Sequence, residues 1–536
     1  MQVSHRFTAS SAVFDDAHLV SCAGLVPVMT LATQTGLSRL LADKVRIAEP
    51  RIKSGSANPA PKLTTLIAGM CAGADGIDDL DIVRSGGMKT LFDGVYAPST
   101  IGTLLREFTF GHARQLESVL REHLAELYRR VDLLPGAEER VFIDVDSLLR
   151  PVYGHAKQGA SYGHTKIAGK QILRKGLSPL ITTISTATAA PVITGARLRA
   201  GKTNSGKGAA RMIAQAVATA RGAGVTGQIL VRGDSAYGNS TVVAACRRAG
   251  ARFSLVLTKS TTVAAAIASI PDDAWTPVKY PGAVRDPDTG AWISDAEVAE
   301  TTYTAFGSTN HPVTARLIVR RVKDARYPDA LFPVWRYHPF FTDTDEPVDT
   351  ADITHRRHAI IETVFADLID GPLAHMPSGR FGANSAWILC AAIAHNLLHA
   401  AGILAAAPRS RTRINVAAAP HHHPRPTGPP PTPADPAPTT ALAVGTALAH
   451  TVAQHHRIQP TCTHINLIIC RKAQPEHTGK AGADQPIPPA HRQSRPSTAT
   501  PSTATQSISG SRLKPWQRRV TVIVLGRDPD TLRSHP

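Results

Sequence analysis

The sequence predicts an α/β protein with a helical N-terminal region and a β-rich insertion. Three observations carry that expectation. Apolar residues recur at helical spacing within residues 1–138. From residue 139, short apolar runs ending in polar or Gly-containing turns alternate with helical stretches. Residues 262–340 are rich in Pro and Gly and carry β-like runs such as TARLIVRRV. At 536 residues, 43% apolar and 19% charged, the chain has the length for two or three domains.

In the N-terminal region, GHARQLESVLREHLAELYRRVDLL (111–134) places Leu116, Val119, Leu120, Leu124 and Leu127 at helical spacing. The segment DGIDDLDI holds Asp75, Asp78, Asp79 and Asp81 but lacks the loop and closing Glu of a calcium site, so it reads as a solvated turn. VFIDVD (141–146) is a strand, and LSPLITTIS and APVITGARL read as two more. KGAARMIAQAVATARGAG reads as a helix ending at Gly222 or Gly224. QILVRGD is a strand, NSTVVAACRRAG a helix and ARFSLVLT a strand. DITHRRHAIIETVFADLI (352–369) is expected to be one helix with Ile361, Val364, Phe365 and Leu368 on its apolar face. A long apolar helix follows over 383–406.

After residue 408 the composition changes. The last part holds 19 of the 40 prolines, beginning with HHHPRPTGPPPTPADPAP. Such sequence buries too little apolar surface to offset ordering entropy, so 409–536 is expected to be largely disordered. Within it only TVIVLG (521–526) looks strand-like, with no evident partner. The expected organisation is a helical region (1–138), an α/β domain (139–408, with the insertion at 262–340) and this tail.

Several classes are disfavoured. The six cysteines (22, 71, 246, 390, 462, 470) form no CxxC pair, which argues against a disulfide framework or zinc ribbon and for a reducing cytosol. No uninterrupted apolar run reaches the roughly 18–20 residues that span a bilayer, and the start lacks a signal-peptide pattern, so no membrane partner is expected.

The charge is +18, but residues 409–536 hold 16 Lys/Arg against 5 Asp/Glu, a surplus of 11 that leaves +7 for the rest. A local feature is more telling. Between Asp146 and Asp234 lie 87 residues with 13 Lys/Arg and no acid. A one-sign stretch bracketed by aspartates suits a phosphate-binding surface that keeps carboxylates only where metal is held.

Three segments supply those carboxylates. In VFIDVDS, Asp144 and Asp146 share a strand face, roughly 6–7 Å apart. In QILVRGDSAYGN, an apolar run delivers Asp234 to a strand end, where sites form in open α/β sheets. Glu362 lies on the 352–369 helix beside its apolar face, after His355 and His358. Carboxylates converging from separate elements are what two divalent metals require, and beside a basic surface they imply phosphodiester hydrolysis or transfer on nucleic acid.

Over roughly residues 10–408 the chain resembles the DDE transposases of bacterial insertion sequences. The resemblance rests on FIDVDS, YGHAKQGASYGHTKIAGK, LRAGKTNSGKGAARMI, LVRGDSAYGN and HRRHAIIETVFADL, followed by GPLAHMPSGRFGANSAWILCAAIAHNLLH. It implies an RNase H-like core, a mixed sheet flanked by helices. It also implies that Asp146, Asp234 and Glu362 hold two Mg²⁺ ions, with Mn²⁺ as a substitute. Asp146 is preferred to Asp144 because it precedes Ser147, as the family's aspartate commonly precedes a small polar residue. Further implications are strand cleavage at an element's terminal inverted repeats, transfer into target DNA, a homodimer, and a cytoplasmic, nucleoid-associated location. The cations expected to grip phosphate are Lys157, Lys166, Lys170, Arg197, Arg199, Lys202, Lys207 and Arg211. The chain departs from the family at Ile369, where a basic residue often stands, and in its Pro-rich tail, for which a frameshift near 408–416 is one explanation.

Other readings fit less well. Gly201 to Lys207 nearly matches a phosphate loop, but Gly208 stands where a Ser or Thr should hold Mg²⁺. His355, His358 and Glu362 could face one zinc ion, without further ligands. A glycosidase would want aromatic platforms, and only 5% of residues are aromatic. The main rival is a catalytically inactive relic that only binds DNA.

Overall fold

The computed structural model describes residues 20–47, 55, 57–167, 170–327, 330–405, 467–468 and 523–524. Its N-terminal region is helical: α1 (Leu25–Gln34), α2 (Leu37–Lys44), α3 (Pro59–Ala72), α4 (Met88–Leu91), α5 (Pro98–Arg106) and α6 (Phe110–Arg130). Helix α6 starts with a capping box between Thr109 and His112 and buries Leu116, Val119, Leu120, Leu124 and Leu127, the face its spacing predicts. The aspartate-rich segment, expected to be a solvated turn, is a bend leading into a 3₁₀ helix (Asp78–Val83); Asp79 accepts from the Asp75 and Gly76 N–H groups, and Asp75 is buried.

The strands follow as β1 (Arg140–Ser147), β2 (Arg150–Pro151), β3 (Ser161–Ile167), β4 (Lys170–Leu177), β5 (Leu180–Ser185) and β6 (Val192–Arg197). Next come α7 (Ala209–Ala223), β7 (Gln228–Gly233), α8 (Ser240–Arg248), β8 (Arg252–Val256) and α9 (Thr261–Ala268). Helix α7 ends at Gly224, whose φ of 106° suits a residue without a side chain. The insertion contributes β9 (Thr276–Pro277), β10 (Val284–Arg285), β11 (Trp292–Ile293), β12 (Ala296–Ala305), β13 (Val313–Lys323) and β14 (Trp335–Thr342).

A nine-stranded mixed sheet runs β6-β5-β1-β7-β8-β14-β13-β12-β9. Strand β1 is antiparallel to β5 and parallel to β7, which is parallel to β8. This is the mixed sheet flanked by helices that an RNase H-like core requires. The insertion does not stand apart as a separate module. Its strand β14 pairs antiparallel with β8 (Phe340↔Val256 to Thr342↔Ser254), so β12–β14 continue the central sheet and cover an edge that would otherwise expose unpaired backbone. Strands β2, β4 and β3 form a separate three-stranded ribbon that leaves the sheet directly after β1.

The expected single helix over 352–369 is broken. It comprises α10 (Val348–Arg356), a 3₁₀ turn at Arg357–Ile360, and α11 (Ile361–Ile369). The His358 ring donates from Nδ1 to the His355 carbonyl at 2.7 Å, taking an acceptor from the regular helical ladder.

The last helix of the core, α12 (Phe381–Leu404), is apolar nearly all round because protein surrounds it. By length and composition it could cross a membrane, although its apolar residues are interrupted by polar ones, and most of it is buried in the core. It also covers the β6 edge. Asn396 accepts from the Ile193 N–H and donates to the Ile193 carbonyl, both at 2.8 Å, as a neighbouring strand would. One hydrophobic core joins the N-terminal helices, the central sheet, α11 and α12.

In the tail, β15 (Leu467–Ile468) pairs antiparallel with β16 (Ile523–Val524), giving the strand-like run a partner. The remainder of 409–536, with its expected disorder, lies outside the described residues.

Candidate active site

Strands β1 and β7 are parallel, so their carboxyl ends open on the same edge of the sheet. Between them the chain order switches direction, the position where α/β sheets form clefts. Their last register pair is Val145↔Gly233. Asp146 and Asp234 follow one step beyond, on neighbouring strands about 4.8 Å apart. Asp146 is half-buried and accepts from the Ser147 N–H at 2.6 Å. Asp234 is exposed and accepts from the Ala236 N–H at 2.9 Å, which fixes the turn after β7. Glu362 is exposed in the first turn of α11.

The three carboxylates share an electrostatic neighbourhood. Asp146 is pushed up to about 7, chiefly by burial; the hydrogen bond from the Ser147 N–H opposes this, the charges of Asp234 and Glu362 add to it, and Arg199 opposes it least. No three His, Cys, Asp or Glu side chains among the described residues sit close enough to form a ready-made metal cluster. The donor set still fits hard divalent cations, which take one or two carboxylates each and complete their shells with water and phosphate oxygen. A second observation bears on that fit. Tyr237 is fully buried, and burial and the Asp146 and Asp234 charges raise its phenol well above its usual range. Ser147 lies within reach, but the Tyr237 hydroxyl makes no hydrogen bond of good geometry. An orphaned donor beside Asp146 would find its acceptor in the hydration shell of a bound cation. Gly233 lets the ring lie there, since a Cβ at Gly233 would sit 3.1 Å from it.

Asp144 does not join this group. Both its oxygens are engaged by Arg232, its register partner on β7, at 2.8 and 2.7 Å. Arg232 also donates to the Thr354 carbonyl of α10 at 2.8 Å, and its guanidinium lies 4.2 Å from the Phe142 ring centroid. The expectation of Asp144 as a metal ligand gives way to a buried ion pair tying β1, β7 and α10 together beneath the site. Arg232 is the residue that sequence reasoning missed, and its place in the basic stretch disguised it.

The basic stretch divides in the same way. Arg199 is buried and donates to the carbonyls of Ser178, Asn204, Ser205 and Lys207, so it folds the loop rather than gripping phosphate. Those carbonyls converge on a cation, the reverse of a phosphate loop, whose N–H groups face an anion. Arg197 pairs with the buried Glu117 on α6. Lys202, Lys207 and Arg211 are exposed and Lys157 is half-buried, free to meet phosphate. The side chains of Lys166 and Lys170 lie outside the described residues.

The histidines do not make a zinc site. His355 is buried, stacked on Phe340 at 4.2 Å and hydrogen-bonded to Ser254 at 2.8 Å. Ile369 packs half-buried against the core.

A large mixed sheet flanked by helices, with acids at adjacent strand ends, is compatible with an RNase H-like transposase fold. The family model described as Transposase DDE domain group 1 matches residues 8–417, and the chain belongs to that family. The family makes DNA its substrate and transposition its activity. No curated protein matches the chain.

Proposed function

We propose that this protein cleaves DNA at the terminal inverted repeats of a bacterial insertion sequence and joins the freed ends to target DNA. The observation that carries the reading is the shared electrostatic neighbourhood of Asp146, Asp234 and Glu362 at the carboxyl ends of β1 and β7. Asp146 would serve both metal positions, with Asp234 and Glu362 each holding one side. Two Mg²⁺ ions, or Mn²⁺ in their place, supply activation of water and then of a DNA 3′-hydroxyl for attack at phosphorus when bound. Lys157, Lys202, Lys207 and Arg211 draw the phosphate backbone toward this edge. A homodimer pairing two ends and a cytoplasmic, nucleoid-associated location belong to the same reading.

The test is incubation of the full chain with DNA carrying the terminal repeats that flank its gene, with and without Mg²⁺ or Mn²⁺. Nicking at the repeat boundary that depends on the metal supports the proposal. Binding to the repeats without nicking under any divalent metal contradicts it and favours the inactive relic.

A further inference from the structure

The ribbon β2-β4-β3 grows from the strand that carries Asp146, with β2 beginning at Arg150. Its base is seated tightly. A Cβ on Gly163 would lie 2.2 Å from the Gly201 carbonyl oxygen, and one on Gly201 would lie 2.3 Å from the Gly176 and Ser161 carbonyl oxygens. Only glycines allow these backbones to meet. The Lys202 N–H donates to Ser161 Oγ at 2.8 Å, and Arg150 donates to the Ala374 carbonyl at 3.0 Å. Beyond this base Tyr162, His164, Ile172, Leu173 and Arg174 are exposed.

Its register sorts the side chains. Tyr162 opposes Lys175 and His164 opposes Leu173, so these four share one face. That face is open: Tyr162 is 67% exposed and Leu173 57%. Tyr153, just after β2, is 80% exposed. Exposed aromatic and apolar side chains on a narrow ribbon are destabilising in water unless something covers them. The ribbon lies within the 87 residues that contain no acid, so its charge disfavours a cationic partner and favours an anionic one. An aromatic ring, a cation and an imidazole on one strip suit stacked bases flanked by phosphates.

We propose that the face bearing Tyr162, His164, Leu173 and Lys175 is a stacking platform for unpaired DNA bases. Tyr162 takes the base, and Lys175 the adjoining phosphate. The inference rests on the transposase reading and adds to it a preference for single-stranded or opened DNA, read by rings rather than by base edges.

The test uses the full chain, without divalent metal, and two probes unrelated to any element end. One is a single-stranded oligonucleotide containing 2-aminopurine; the other is a blunt duplex of the same sequence. Tyr162→Ala is expected to lower single-strand affinity about tenfold and to abolish the fluorescence quench that reports stacking, with duplex affinity nearly unchanged. Tyr162→Phe is expected to keep both. Thermal unfolding of each variant checks the fold, and Leu173→Ala gives a second, smaller loss. Wild-type single-strand binding by Tyr162→Ala overturns the proposal, as does an equal loss on both probes. Loss of chain association with DNA binding intact also overturns it and assigns the face to a second copy. Because no cleavage is read, failure here leaves the nicking assay standing, and failure of nicking leaves this result standing.

Discussion

Asp144 and Arg232 face each other in register on adjacent parallel strands and close a two-pronged ion pair whose side chains are 1% and 2% exposed. The pair lies one side-chain layer below Asp146 and Asp234 on the same face of the sheet. It also reaches Thr354, on the helix that leads to Glu362. Charges this deep persist only when fully partnered.

Removing one partner strands the other. Arg232→Ala and Asp144→Ala are each expected to cost about 3–5 kcal/mol in urea unfolding. Asp144→Asn should lower stability while leaving Mn²⁺ affinity close to that of the parent. A stable Asp144→Asn protein with weakened Mn²⁺ binding would return Asp144 to the metal site.

The buried Tyr237 hydroxyl has no good partner within the protein. Tyr237→Phe is therefore expected to raise metal-free stability by about 1 kcal/mol or more, because the cost of an unsatisfied buried donor disappears. The same change should weaken stabilisation by added Mn²⁺. Melting curves with and without metal read both effects. A destabilised phenylalanine variant would show that the hydroxyl is already satisfied.

The raised Asp146 carboxyl makes the metal-free protein sensitive to pH. Its folded value is about 7 and its ordinary value 3.8, so between them the folded state holds a proton that the unfolded state has released. Stability contributed by the protonated form is fully present below about pH 4 and is lost as pH rises through about 7. Asp146→Asn should flatten that slope and melt above wild type at pH 8. Divalent metal should restore wild-type stability at high pH. An unchanged slope in Asp146→Asn would assign the pH dependence elsewhere.

The cations separate by role. Lys202→Ala, Lys207→Ala and Arg211→Ala should each reduce the salt dependence of DNA binding by about one unit of log–log slope, with little effect on stability. Arg199→Ala should destabilise the protein instead, since its guanidinium holds the carbonyls of the 204–207 loop. Equal slopes for all four variants would contradict this division.

Much of this arrangement is legible in the sequence. Period and punctuation give β1, β5 to β8, α6, α7, α8 and α12 close to their bounds, because each carries its own apolar pattern and turn. Asp146 and Asp234 are legible because an apolar run delivers each to a strand end. Three features need the tertiary fold. The Asp144–Arg232 pair depends on register between strands 88 residues apart, which no local pattern records. The insertion's continuation of the main sheet depends on which edge β14 finds. The 3₁₀ break before Glu362 depends on one histidine ring reaching a carbonyl.

The most direct test of the central claim compares Asp146→Asn, Asp234→Asn and Glu362→Gln in metal-dependent nicking, with DNA binding measured in parallel. Each is expected to abolish cleavage while binding the terminal repeats at least as tightly as the parent, since a negative charge near phosphate is removed. Cleavage at the parental rate by any one of them would remove that residue from the site and break the three-acid account.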